Sequence, residues 1–240
     1  MILSIYESSD SANEVAAAHL GRKLARPTTR TLMVAAGNTP LDLYGRVGLQ
    51  RLNLSHLTVF ALDEYVGVPL DEPRNCANLL RKAVAEAWGL SADRFLTVSS
   101  LTNDAARSIE RHEALIESVG GLDLLVLGLG QNGHLGFNEP GSAPDSAARV
   151  LSLDPISVDA NRKWFHDRFA PDFGVTVGMR TILAAREIFL VAFGPHKEQA
   201  VRDMVRGPIH ARCPASFLQH HPQVKVFLDR SAAVGLGAVT

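Results

Sequence analysis

Short apolar runs recur along the chain: "ILSIY" (2–6), "TLMVAA" (31–36), "LTVFAL" (57–62), "LDLLVL" (122–127), "EIFLVAF" (187–193) and "VKVFL" (224–228). Several are apolar at successive rather than alternate positions, as a parallel strand covered on both faces requires. The segments between them are long enough for crossover helices. Residues 10–25 illustrate one, with Asp10 or Ser11 available as N-cap, Glu14 three positions after Ser11, and Val15, Ala18, Leu20 and Leu24 along one face. Similar periodicity runs through 76–88, 104–118 and 196–205. This alternation predicts an open, doubly wound, mostly parallel α/β sheet with helices on both faces, of Rossmann-like type.

No internal repeat, low-complexity tract or linker interrupts the pattern, so residues 1–240 read as a single domain. The least regular stretch, "GSAPDSAARVLSLDPISVDANRKWFHDRFAPDFG" (141–174), reads as a mobile flap or as a long surface excursion. Of the 240 residues 46% are hydrophobic, enough for a sizeable core. The 24 basic and 25 acidic residues leave a formal charge of -1 with no long run of either sign, which argues against a dedicated nucleic-acid or membrane surface. Any anion is then bound locally. Cys76 and Cys213 form no metal-spaced or redox pair, and "MILSIYESSD" has no basic leader, so the expected location is cytoplasmic.

In an open parallel sheet the loops that leave the carboxyl ends of the strands share one edge, and ligands bind there. After the second run comes Gly37-Asn38-Thr39-Pro40 at a helix start, either a phosphate cradle on free backbone N–H groups or an ordinary capped turn. After the fifth comes Gly194-Pro195-His196-Lys197, where a lysine in the first helical turn opposes the dipole unless an anion compensates it; the alternative is a solvated side chain. Asp63 and Glu64 follow the third run. Neighbours on an extended segment point to opposite sides, so one of them, Asp63, is the candidate general base, with capping of the next turn as the alternative.

The loop "GLGQNGHLGFNEPG" (128–141) leaves the fourth run and carries Asn132, His134 and Glu139 among its glycines. The imidazole titrates near neutrality, and a carboxylate such as Glu139 can fix its tautomer and raise its basicity. Gly128, Gly130 and Gly133 fit the spacing GxGxxG, but the continuation "HLGFNEPG" does not open a crossover helix, so no nicotinamide cofactor is expected. No helix-spaced His pair or Cys cluster points to a metal.

"LDEYVGVP" (62–69), "LGLGQNGHLGFNEPG" (127–141), "GPHK" (194–197) and "PASFLQHHP" (214–222) closely resemble the glucosamine/galactosamine-6-phosphate deaminase (isomerase) family, in order from about residue 30 to 230. The related 6-phosphogluconolactonases normally follow the loop histidine with an Ala-Ser-Leu-Phe-like sequence, a place filled here by "LGFNEP". The resemblance implies conversion of a 2-amino-2-deoxyhexose 6-phosphate into the ketose 6-phosphate and ammonia without metal or organic cofactor. It implies that His134 opens the pyranose with support from Glu139, that Asp63 shuttles the proton between C2 and C1, and that Gly37, Asn38, Thr39 and Lys197 hold the phosphate.

Three departures from the family pattern stand out. Some members have Asp at Asn132, leaving Glu139 as the carboxylate behind His134, with Asn132 free to position a hydroxyl or water. Asn38 replaces a glycine in the phosphate loop. The flap, which often supplies an arginine to the phosphate, offers Arg162 and Lys163 here, and lysine would be a point charge rather than a fork. "NCANLLRKAVAEAWGLS" and "CPASFLQHHP" look more like the galactosamine-type members, and the segment after Asn-Glu-Pro lacks the added basic residues of allosteric hexamers. A non-allosteric monomer or small homo-oligomer acting on a small amino-sugar phosphate is expected. The competing functions are lactone hydrolysis and catalytically silent sugar-phosphate sensing.

Overall fold

The computed structural model describes residues 1–237, in the order β1 (Ile2–Tyr6), α1 (Ser9–Leu24), β2 (Thr31–Val34), α2 (Asn38–Leu49), β3 (Thr58–Ala61), β4 (Asp63–Tyr65), α3 (Cys76–Leu80), β5 (Phe95–Leu96), α4 (Ala105–Ser118), β6 (Leu124–Leu127), β7 (Arg149–Ser152), α5 (Pro155–Trp164), β8 (Phe173–Thr176), α6 (Met179–Leu183), β9 (Glu187–Ala192), α7 (Glu198–Arg206) and β10 (Val224–Asp229). The six apolar runs are β1, β2, β3, β6, β9 and β10. With the short edge strand β5 they form one seven-stranded sheet, ordered β1-β10-β9-β6-β2-β3-β5, in which every pairing is parallel.

The strand order explains where a ligand can enter. From β2 the chain builds outward through β3 and β5, then returns to lay β6 on the other side of β2 and builds outward again through β9 and β10. The loops after β2 and β6 therefore diverge and open a crevice at the carboxyl edge between them. Both faces are covered. On one, Leu20, Leu24, Leu43, Tyr44 and Trp88 pack on Leu32, Val34 and Phe189; on the other, Ile109, Ile116, Ile182, Val201 and Met204 pack on Met33, Leu125 and Leu190. Burying each such side chain contributes roughly 1.5–3 kcal/mol. Tyr44 fixes the end of β2, donating its hydroxyl to the Ala35 carbonyl at 3.0 Å while Trp88 donates its indole N–H to the Tyr44 carbonyl.

Two local readings are corrected. Helix α1 is capped by Ser8, whose hydroxyl accepts from the Ser11 N–H, while the Ser11 hydroxyl accepts from the Ser8 N–H. Ser11 is thus the inner partner of a capping box rather than the cap, and Asp10 lies inside the helix. With that phase the buried stripe runs through Ala12, Ala16, Leu20 and Leu24, and Val15 is exposed.

The second sheet was not expected. β4, β8 and β7 form a three-stranded antiparallel ribbon, with Asp63 opposite Thr176 and Val150 opposite Val175. β4 begins two residues after β3 ends, so the chain changes sheets at Leu62. The stretch 141–174 supplies β7 and α5, the latter started by Pro155 and by the Asp154 side chain accepting from the Ile156 N–H.

Candidate functional site

A cavity of about 580 Å³ opens at the carboxyl edge of the main sheet. It is lined by Gly37, Asn38 and Thr39 after β2, Asp63 after β3, Asn132 and His134 after β6, Lys197 after β9, and Lys163 from α5. Glu139 stands behind His134 rather than on the wall. Of the two flap cations only Lys163 faces the cavity. Arg162 does not line it, because successive helical positions diverge by about 100°.

His134 Nδ1 lies 3.2 Å from Glu139 Oε2 and 3.4 Å from Ser157 Oγ. An ionised carboxylate only accepts, so the hydrogen sits on Nδ1 and leaves Nε2 as the basic nitrogen. Asn132 donates through Nδ2 to the same Glu139 oxygen at 2.8 Å, and its Oδ1 accepts from the His134 N–H at 3.3 Å. Asn132 therefore holds the supporting carboxylate and the loop backbone, and it also lines the cavity. Burial opposes the charge on Glu139, but the bonds from His134, Ser157 and Asn132 outweigh it and hold the carboxyl below its usual range.

The surrounding motif residues make room for this pair. A Cβ on Gly130 would collide with the His134 ring, and one on Gly136 would lie 2.8 Å from Thr176 Oγ1 and 3.2 Å from Asp63 Oδ2. The imidazole and the Asp63 carboxylate thus both rest against bare backbone of the same loop. Asn138 is fully buried, donates to the Leu135 and Val177 carbonyls, and accepts from Arg149 at 3.0 Å. Within "FNEP" the asparagine fastens the loop to the end of β8 and the glutamate serves the histidine.

Asp63 and Glu64 point apart, as neighbours on a strand must. Glu64 turns away from the cavity and accepts from the backbone N–H groups of Tyr65, Cys76 and Ala77 at 2.7, 3.0 and 2.8 Å, which anchors the start of α3. Asp63 lines the cavity. Burial, reinforced by the Glu64 charge, pushes its carboxyl up to about 7. Burial raises Glu64 to about 7 as well, against the opposing pull of its three N–H donors, so the two carboxyls form one coupled buried pair.

The cationic end is built from two similar turns. Gly37 (φ 112°, ψ 157°) and Gly194 (φ 90°, ψ 154°) both sit in a conformation closed to other residues, each just before a helical turn. Gly37 takes up the whole backbone requirement, so Asn38 enters α2 with ordinary helical geometry and its departure from glycine is neutral. The N–H groups of Asn38 and Thr39 belong to the first turn and have no intrahelical acceptor. Lys197 donates to the Leu129 carbonyl at 2.6 Å, and burial pulls its ammonium down to about 8. Among the described residues no carboxylate lies within ion-pair distance of it. No group of three or more metal-ligating side chains occurs among the described residues, and no described helix is long and apolar enough to cross a membrane.

Residues 6–227 match the model of the family described as glucosamine-6-phosphate isomerases/6-phosphogluconolactonase. The chain belongs to this family. It is 38% identical over 236 residues to a glucosamine-6-phosphate deaminase of Rhodopirellula baltica, covering 96% of this chain and 94% of that one. It is 36% identical over 238 residues to a protein of the same name from Cutibacterium acnes, covering 97% and 91%. Its fold matches a structure described as a monomeric glucosamine-6-phosphate deaminase, with TM-score 0.93 and 29% identity over 98% of this chain and all of the other. A 6-phosphogluconolactonase of Trypanosoma brucei shares the fold, with TM-score 0.79 and 21% identity over 98% of each chain.

Within this family fold, the wall residues that escaped sequence reasoning include Tyr65, Arg74, Ser157 and Trp164. Tyr65 follows the Asp-Glu pair, so its place was within reach once β4 was recognised. Arg74 and Trp164 meet where the end of α5 packs on the loop before α3, and Ser157 at its start meets His134; no local sequence signal marks either contact.

Proposed function

We propose that the protein is a glucosamine-6-phosphate deaminase acting without metal or organic cofactor. The observation that carries this reading is the combination, around one cavity, of a carboxylate-backed imidazole and a buried carboxyl poised near neutrality, with the start of α2, Lys197 and Lys163 in the same wall. The names of the relatives support the glucosamine sugar over its C4 epimer, against the galactosamine-like look of two sequence segments.

The chemistry follows from these groups. The phosphate is held by the Asn38 and Thr39 N–H groups and by Lys197 and Lys163, with the stretch 141–174 serving through α5 as the flap. Neutral His134 takes the proton of the C1 hydroxyl on Nε2 and returns it to the ring oxygen, opening the pyranose to the aldehyde; Glu139 stabilises the transient imidazolium. Ionised Asp63 then removes the C2 proton while O1 takes one from the substrate's own ammonium group, giving a neutral 1,2-enolamine, and Asp63 returns its proton to C1. The resulting C2 iminium takes up water and loses ammonia, leaving the 2-ketose phosphate.

The test is ammonia release by purified protein from glucosamine 6-phosphate and galactosamine 6-phosphate in parallel, with 6-phosphogluconolactone hydrolysis as the comparison. Ammonia from the glucosamine substrate is expected. Ammonia from the epimer alone would move the specificity, lactone cleavage without ammonia would move the protein to lactone hydrolysis, and silence on all three would leave a sensor.

A further inference from the structure

Helix α5 carries Lys163 to the cavity, yet its apolar anchorage is slight. Its buried residues are Ser157 and Asn161, both polar, and Ile156 is exposed. Within the helix the anchors are polar, Asn161 Nδ2 donating to the Pro171 carbonyl at 3.1 Å, and the one fully buried apolar group is Phe165 just after the last turn, packed against Tyr65 and Phe169. Polar contacts hold the two ends as well. At the N-terminal end Ser157 Oγ meets His134 Nδ1 at 3.4 Å. At the C-terminal end Trp164 is joined to the loop before α3 by a reciprocal pair of bonds: Arg74 Nη1 donates to the Trp164 carbonyl at 2.7 Å, and the Trp164 indole N–H donates to the Arg74 carbonyl at 3.0 Å. The guanidinium also lies over the indole, 5.6 Å from its centroid. Buried Glu72 extends the clasp, accepting from the Arg74 N–H at 3.2 Å and from Arg168 Nη2 at 2.8 Å.

We propose that Arg74 is a positioning residue for the anionic end of the substrate: by clasping Trp164 it holds the last turn of α5 in place and keeps Lys163 at the cavity. The inference rests on the reading of the ligand as a sugar phosphate. It fits the residue types. Lysine is a flexible point charge whose grip depends on how well its helix is held, whereas guanidinium is a planar group that can donate to a carbonyl and stack on an indole together. The rigid cation thus lies in the support rather than at the flap.

The experiment compares wild type with Arg74→Ala and Arg74→Lys. Inorganic phosphate binding by calorimetry is expected to weaken about tenfold in both variants, because an ammonium reproduces the charge of Arg74 but not its stacked, carbonyl-bonded geometry. KM for the amino-sugar phosphate rises by about the same factor, with kcat changed less than about twofold. Trp164 reports independently of turnover. Trp88, the other tryptophan, is buried and bonded to Tyr44, so the difference in emission between wild type and variant comes from Trp164 and is expected to shift to the red. Unchanged phosphate affinity with unchanged emission overturns the proposal, as does full rescue by lysine or a loss confined to kcat. If Arg74→Ala does not fold, Arg74→Lys carries the same readouts. Weakened phosphate binding in a protein that releases no ammonia would keep the clasp and sink the deaminase reading, so the two failures are distinguishable.

Discussion

Replacing Asp63 by asparagine separates catalysis from stability. Burial first, and the Glu64 charge second, raise the Asp63 carboxyl from 3.8 to about 7 in the folded protein. Between those values the folded state binds more protons than the unfolded one. The stability this group contributes is therefore full below 3.8, is lost as pH rises through 7, and the whole cost of the buried charge is present at pH 8. A carboxyl raised that far carries a buried-charge cost of about 4 kcal/mol, and because Glu64 shares in the same protonation an actual gain of about 2–4 kcal/mol is expected for Asp63→Asn at pH 8. At pH 5 most of that cost is already relieved by protonation, and the gain shrinks to about 1 kcal/mol. Urea unfolding at the two pH values measures the difference directly, and ammonia release on the same preparations shows turnover abolished. An equal gain at both pH values, or a loss at pH 8, would refute the assignment of Asp63 as a carboxyl held near neutrality by burial. Wild-type turnover should fall about tenfold per pH unit below 7, since the base must be ionised to take the C2 proton.

Three further perturbations test the other parts of the site. Glu139→Gln keeps the shape but removes the charge behind His134, and kcat should fall on the order of a hundredfold with KM nearly unchanged; steady-state kinetics check this. Lys197→Met should raise the phosphate dissociation constant at least about tenfold. Because burial pulls the Lys197 ammonium down to about 8, wild-type phosphate binding should also weaken as pH rises through that value and stay flat in the variant, as read by calorimetry at pH 7 and pH 9. Gly130→Ala sets a methyl into the space of the His134 ring, so the ring must turn away. Activity should drop more than about tenfold while thermal unfolding shifts by only a few degrees.

The parallel sheet was legible because its inner strands β2, β6 and β9 are covered on both faces and so read as continuous apolar runs, while β1, partly exposed at the edge, still shows a short apolar stretch. The antiparallel ribbon was not, because β4 is the polar triplet Asp63-Glu64-Tyr65 and β7 is half exposed, so neither carries a period that survives on its own. Their pairing with β8 is a long-range contact that only the folded chain defines. The same division runs through the site. Gly37, Asp63, His134 and Lys197 could be named because each follows directly on a legible strand, and strand ends share an edge. Arg162 and Lys163 could not be told apart until the phase of α5 was known. Arg74 and Trp164 were invisible because what brings them to the cavity is their bond to each other.

The unforeseen ribbon accounts for the chemistry at Asp63. The chain leaves the main sheet at Leu62 and enters the ribbon at Asp63, so the carboxylate sits on the step between two sheets, fixed by β3 on one side and by its pairing with Thr176 on the other. Strand alternation then sends Glu64 the opposite way, where three backbone N–H groups at the start of α3 receive it. A single carboxylate in that step would be raised by burial alone. The second one adds its charge at short range, and although three donors oppose it, burial raises that carboxyl to about 7 too, so the pair shares its protonation. The Asp-Glu pair is therefore a base and the group that keeps its affinity for a proton high, and the sheet change is what lets two adjacent residues occupy such different surroundings.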